Sequence, residues 1–114
     1  MLVGVGVDAV SVARMRRALV RTPRLSQRVF TPAEMEAAAM ARGPAEESLA
    51  ARFAAKEACR KAVGVNLPWR DIEVVSLGDR APALRIAGRD DLRLHVSLTH
   101  TREVAIALVV AETR

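Results

Sequence analysis

Apolar and polar residues alternate over 92–99. Leu92, Leu94, Val96 and Leu98 fall on one side, with Arg93, His95, Ser97 and Thr99 on the other. That period of two predicts a half-buried strand. Over 11–20 the period is helical. Val12, Met15 and Leu19 share one face, and Arg14, Arg17 and Arg21 share another. Thr22-Pro23 ends that helix. Residues 2–7 are β-rich and bounded by glycine, which predicts a first strand.

Thr31-Pro32-Ala33-Glu34 reads as a second helix start. Thr31 caps, Pro32 sits where its missing N–H costs nothing, and Glu34 completes a capping box. This helix should stop near Gly43-Pro44, where a third begins, and Gly64 should end the third. After Pro68 the pattern turns to β. Ile72, Val74 and Leu77 lie in a strand-like stretch, 78–82 reads as a turn, and 83–86 as its return. Residues 104–111 are apolar enough to predict a closing strand buried on both faces. One strand, three helices and about four antiparallel strands make an α+β fold rather than a βαβ repeat.

The 114 residues form a single domain, 1–114, with no linker, low-complexity tract or internal repeat. Apolar residues make up 51% but aromatics only 3%, so the core must be built from Val, Leu, Ile and Ala, and subunit contacts could complete it. The net charge of +5 predicts attraction to a polyanion: nucleic acid, a phosphorylated small molecule or an acidic protein. Cys59 is the only cysteine, so no intramolecular disulfide forms and a cytoplasmic location fits. No signal peptide is visible, and the longest strongly apolar run is too short to cross a bilayer.

Candidate chemistry begins with the third helix. At ~100° per residue, Ala51, Ala54, Ala55, Ala58 and Ala62 fall on one side, a face suited to close backbone packing. Arg52, Lys56 and Arg60 form a basic stripe on the far side. Glu57 and Lys61 form an i, i+4 pair beside Phe53, which a plain surface ion pair would explain. A second acid changes that reading. Asp8 directly follows Gly4-Val5-Gly6-Val7. The stretch 4–9 fits a dinucleotide-binding fingerprint, but the chain is too short for a doubly wound sheet, and an aspartate in a phosphate loop repels the ligand. Asp8 and Glu57 could together hold Mg²⁺, which takes one or two protein carboxylates and leaves its other positions to water and phosphate. Lys56, Lys61 and Arg52 could meet the remaining phosphate charge.

His95 belongs to the polar side of its strand. His100 is expected in the turn that follows, among Ser97, Thr99 and Thr101, a set that can bind phosphate. No Ser-His-Asp or metalloprotease spacing is present, and one cysteine with two histidines makes a poor zinc site.

Three segments together resemble holo-acyl-carrier-protein synthase, the small single-domain class of 4′-phosphopantetheinyl transferases. They are Gly4-Val5-Gly6-Val7-Asp8, then Arg52-Phe53-Ala54-Ala55-Lys56-Glu57-Ala58 with Lys61, and His95-Val96-Ser97-Leu98-Thr99-His100-Thr101. The likeness runs nearly end to end and takes in Arg14, Arg28, Thr31, Glu34 and the stretch 71–74. It implies transfer of 4′-phosphopantetheine from coenzyme A to a serine of an apo acyl carrier protein, with Mg²⁺ (or Mn²⁺) required and 3′,5′-ADP released. It implies Asp8 and Glu57 as metal ligands and Lys61 as a catalytic pyrophosphate contact. Arg52, Lys56, Ser97, His100 and Thr101 are implied as further coenzyme A contacts. It also implies a homotrimer with sites between subunits, and an acidic carrier protein docked on Arg14, Met15, Arg21, Arg24, Leu25 and Arg28.

The chain departs from the family pattern at Ser11, Ala51, Cys59-Arg60 and the stretch 64–68. Two other readings stand beside this one. A basic nucleic-acid-binding module fits the charge but not the scarcity of aromatics for base stacking. A weakened family member that only binds coenzyme A or carrier protein would hold Asp8 and Glu57 far apart.

Overall fold

A computed structural model describes residues 1–76 and 81–114. The expectations for Leu77 and for the turn at 78–80 lie outside the described residues. In chain order the elements are strand β1 (Leu2–Ser11), helices α1 (Val12–Arg21), α2 (Leu25–Val29), α3 (Pro32–Met40) and α4 (Ala45–Val63), and a 3₁₀ turn (Trp69–Asp71). Strands β2 (Ile72–Val75), β3 (Ala83–Ile86), β4 (Leu92–His100) and β5 (Val104–Thr113) complete the fold. This is the expected α+β order, with two differences. A short helix α2 appears where no helical period was visible. The strands also divide into two antiparallel sheets, β1-β5-β4 and β2-β3.

The helix boundaries follow their capping chemistry. Ser11 caps α1, its Oγ accepting from the Arg14 N–H at 3.2 Å. Thr31 and Glu34 form the reciprocal capping box at α3. Gly64 closes α4 in the left-handed conformation, φ 81°, where a side chain would be strained. α3 ends at Met40, slightly before the expected Gly43-Pro44 break.

β5 is the central strand, and α4 lies across the inner face of the large sheet. The alanine face of α4 is buried as expected, with Ala54, Ala55 and Ala58 at 0% exposure. The sheet meets it with small residues: Gly4 and Gly6 from β1, and Ala105, Ala107 and Ala111 from β5. A Cβ built on Gly4 would lie 2.2 Å from the Ala62 carbonyl oxygen, and one on Gly6 only 1.9 Å from that of Ala58. The two glycines therefore serve contact between backbones, not a phosphate loop.

β5 was expected to be buried on both faces, and this is corrected. Ala105, Ala107, Val109 and Ala111 are covered, but Ile106 and Leu108 on the other face are exposed. α4 covers one side of the sheet only. Val5 and Val7 of β1 pair with Val110 and Leu108 on that outer side, so the open face is apolar along β1 and β5 and polar along β4, where His95, Ser97 and Thr99 stand opposite Val110, Leu108 and Ile106.

Candidate active site

β1 and α4 run close together, and their contact brings the two candidate carboxylates into one cleft. Asp8 follows the glycines that admit α4, and Glu57 is half-buried one residue before Ala58. Both line a cavity of about 460 Å³, with Ser11 and Arg14 as its other polar groups. Met15, Ala18, Leu25, Val29, Phe30, Phe53 and Trp69 form its apolar wall. The wide separation that would mark a weakened protein is not seen.

Lys61 joins the site through Asp8. Its Nζ donates to the Val7 carbonyl at 3.0 Å and lies 3.3 Å from Asp8 Oδ1, and more than half of its side chain remains exposed. The i, i+4 pairing with Glu57 does not form. Glu57 has no ion pair among the described residues, so its carboxylate is free to face the cleft.

The donor set fits a hard divalent cation. Two carboxylates from different elements line one solvent-open cleft, and no group of three or more His, Cys, Asp or Glu side chains that could hold a metal occurs among the described residues. Mg²⁺ suits such a pair because it keeps positions for water and phosphate; a closed zinc site needs more ligands.

The basic stripe of α4 is not a phosphate surface in this chain. Lys56 is fully buried, 2.7 Å from Glu34 Oε1. Its Nζ also donates to the carbonyls of Trp69 and Ile72 and faces the Phe30 ring. Burial pushes the ammonium below its ordinary pKa, and the hydrogen bond and charge of Glu34 oppose that shift. Arg52 donates to the Val74 carbonyl at 3.0 Å and to Ser76 Oγ at 2.7 Å. Both cations therefore hold β2 against α4, with their donors directed into the fold. The sequence hid this because a helical wheel shows angle, not what packs on each side. Arg60, third in the stripe, stacks on Trp69 with its guanidinium 3.2 Å from the ring centroid.

The histidine segment also sits elsewhere than the cleft. β4 runs on through His100, so His100 ends a strand instead of standing in a turn. Asp8 aligns with Ala107 and Leu98, and Val10 with Ala105 and His100. His100 is thus two strands, about 10 Å, across the sheet from β1. Its Nδ1 lies 3.5 Å from Glu47 Oε1. Ser97 points to the outer face. The Thr101 hydroxyl accepts from the N–H groups of Glu103 and Val104 and shapes the turn into β5. His95 does lie on the polar side of β4, bound to Glu112 at 3.0 Å.

Of the docking residues, Arg14, Arg21, Arg24 and Arg28 are exposed on α1 and around α2, and Leu25 is half-buried. Met15 is corrected: at 6% exposure it belongs to the core and the cleft wall. Arg16 is tied to Glu46 at 3.0 Å. Cys59 is fully buried, and burial raises its thiol to about 11, which makes it core filling. Sequence reasoning missed the cleft's aromatic wall. The available signal was that the chain has three aromatic residues, Phe30, Phe53 and Trp69, and all three line this cavity. They form no exposed strip for stacking bases.

Asp8 and Glu57 thus share one cleft between a glycine-bearing strand and an alanine-faced helix. The family model described as the 4′-phosphopantetheinyl transferase superfamily matches residues 4–109, and the chain belongs to that superfamily. Within it, the chain is a transferase of the holo-[acyl-carrier-protein] synthase type. It is 49% identical to the holo-[acyl-carrier-protein] synthase of Frankia alni over 98% of each chain. It is 42% identical to that of Shouchella clausii over 99% of this chain and 100% of the relative. Its fold superposes on a holo-(acyl-carrier-protein) synthase from Bacillus anthracis, in complex with CoA (3′,5′-ADP), with a TM-score of 0.87 and 34% identity, covering 100% of this chain and 99% of the other. The acyl carrier protein synthase of Mycobacterium tuberculosis gives a TM-score of 0.81 at 34% identity over 100% of both chains. Among the described residues, no helix is long and apolar enough to cross a membrane.

Proposed function

We propose that this chain transfers 4′-phosphopantetheine from coenzyme A to a serine of an apo acyl carrier protein, with Mg²⁺ required and 3′,5′-ADP released. The observation that carries the reading is the shared cleft of Asp8 and Glu57 with Lys61 Nζ 3.3 Å from Asp8. The relatives' names and the coenzyme A complex of the Bacillus anthracis structure support the same substrates.

Asp8 and Glu57 would hold the metal, which when bound offsets pyrophosphate charge and stabilises the leaving phosphate. Mn²⁺ has the same preference for oxygen ligands and could substitute. Lys61 adds a mobile ammonium beside the same phosphates. The serine Oγ attacks the pantetheine-bearing phosphorus, and the bond from that phosphorus to the bridging oxygen breaks. The bridging oxygen leaves with 3′,5′-ADP, and the serine proton passes to Glu57, which has no ion partner among the described residues.

Arg14, Arg21, Arg24 and Arg28 form the dock for an acidic carrier protein, with Leu25 as an apolar contact. A cluster of exposed cations steers an acidic partner and speeds encounter. Ser97, His100 and Thr101 stand away from their own chain's cleft, so as coenzyme A contacts they serve a neighbouring subunit. The exposed apolar patch of β1 and β5 on the outer face supports the trimer this requires, since such a patch in a small protein marks a contact surface.

The test combines the protein, coenzyme A, Mg²⁺ and an apo carrier protein, and mass spectrometry reads the carrier. The carrier gains the mass of one phosphopantetheine, and Asp8→Ala or Glu57→Ala abolishes most of the rate. No gain on any fatty-acid or polyketide carrier, or full rates in both variants, overturns the reading.

A further inference from the structure

Glu57 keeps an unpaired carboxylate although two cations follow it on α4. Arg60 stands three residues on and Lys61 four, the spacings at which helix side chains meet and acids pair with bases. Neither forms an ion pair with Glu57. Lys61 is turned to Asp8 and the Val7 carbonyl. Arg60 lies on the Trp69 indole, its guanidinium carbon 3.2 Å from the ring centroid. The indole ring is 5.1 Å from that of Phe53, four residues before Glu57 on α4. Phe53 and Arg60 thus bracket Glu57, and Trp69 touches both. The Trp69 carbonyl accepts from Lys56 Nζ at 3.0 Å, which fixes the turn that carries the ring. The Arg60 Nε is buried without a hydrogen-bond partner among the described residues. Leaving that donor unpaired costs free energy, which a bond to the neighbouring carboxylate would recover. Contact of the cation with the indole face offsets the cost and holds the guanidinium where it is.

We infer that Trp69 is a positioning residue: its indole holds Arg60 off Glu57 and so keeps that carboxylate open for a divalent cation. The inference rests on the reading of Asp8 and Glu57 as metal ligands given above. Without the ring, the guanidinium turns along the helix and pairs with Glu57, and its Nε and amino groups gain an acceptor. A cation must then displace the arginine before it can bind. Lys61 needs no such restraint, because Val7 and Asp8 already hold its ammonium.

A double-mutant cycle on the full chain tests this, with Trp69→Leu, Arg60→Met and the two together. Mn²⁺ alone is the probe, and the paramagnetic resonance signal of the free ion reads its Kd. Trp69→Leu weakens Mn²⁺ binding about threefold, the scale of a partly exposed ion pair. Adding Arg60→Met restores it. Removing a positive charge tightens Mn²⁺ somewhat in either background, so the coupling is what decides. The gain from Arg60→Met is about threefold larger without the indole than with it. A merely structural loss at Trp69 is not undone by changing Arg60. A crystal structure of Trp69→Leu shows the guanidinium within about 4 Å of the Glu57 carboxylate.

An equal gain in both backgrounds overturns the inference, and so does a guanidinium that stays off Glu57 in Trp69→Leu. If Trp69→Leu does not fold, Trp69→Met takes its place in the cycle, flexible enough to fill the gap and without a ring face. If the native protein binds no Mn²⁺, the metal reading of the cleft has failed, and the crystal structure still decides whether Trp69 holds Arg60 off Glu57.

Discussion

Lys56 carries an ammonium group at 0% exposure, held between Glu34, two backbone carbonyls and the Phe30 ring. Glu34 is equally buried, and its second oxygen accepts from the Val74 N–H at 2.9 Å. Removing one member strands the other's charge in the core. Lys56→Met should lower unfolding free energy by about 3–5 kcal/mol in urea titration, the usual cost of breaking a buried pair. Coenzyme A KM should change little in whatever fraction stays folded, because Lys56 lies outside the cleft. Beside this pair, Thr31 Oγ1 donates to Glu73 Oε2 at 2.6 Å, and Arg85 also reaches that carboxylate. The Thr31 hydrogen bond, then the Arg85 hydrogen bond and charge, hold the Glu73 carboxyl below its ordinary value of 4.5. Its folded value lies below its unfolded one. Its contribution is thus complete above about pH 4.5 and is lost as pH falls through the lowered folded value. Acid titration of stability should be shallower in Glu73→Gln than in the native protein, and equal slopes would remove this carboxylate from the account. Thr31 and Glu34 were readable as a capping box. Their ties to Lys56, Glu73 and Val74 were not, since those partners lie more than twenty residues away.

At the scale of elements, the approach of α4 to β1 builds the site. Gly6 holds the helix near enough for Asp8 and Glu57 to share a cleft. Gly6→Ala places a methyl 1.9 Å from a carbonyl oxygen, and backbone cannot yield as a side-chain tip does. We expect a loss of about 1–3 kcal/mol, the range for overpacking a tight contact. Activity should fall further than stability alone explains, because displaced strands separate the carboxylates. Thermal melts and kcat measured well below Tm separate the two effects. The alanine face and the two glycines are visible in the sequence as separate facts. Only the register of helix on strand shows that one serves the other. α2 escaped prediction because five residues are too few to display a helical period, and it is held by packing, with Val29 buried.

At the scale of the molecule, the large sheet is covered on one side by α4 and bare on the other. Val3, Val5, Val7, Ile106 and Leu108 are exposed there, each by 40% or more. A proposed subunit contact on this face should be broken by Leu108→Asp. Sedimentation should then find monomers, and transfer activity should fall with the trimer, although the residue lies on the opposite face from the cleft. A native protein that sediments as a monomer while fully active rules out the trimer. The arginines on α1 and around α2 face solvent and should act over distance. Raising salt should increase the KM for carrier protein and leave the KM for coenzyme A less affected, because the Debye length shortens from about 10 Å at 0.1 M to about 3 Å at 1 M.

Sequence alone determined the local features: the alternation in β4, the end of α1 at Thr22-Pro23, the capping box of α3, the Gly64 stop of α4, the small-residue face of α4, and Asp8 and Glu57 as the two acids worth joining. Each follows from chemistry within a few residues of chain, where side-chain period and backbone conformation are coupled. Tertiary structure decided which side of each element meets protein and which meets solvent. It took Arg52 and Lys56 into the core, made Met15 a wall and kept β5 half open. It also turned Lys61 from its helical neighbour Glu57 to Asp8 on another element. The physical reason is burial. Desolvation and pairing of charge depend on what packs opposite a residue, and that neighbour is set by register between elements distant in sequence.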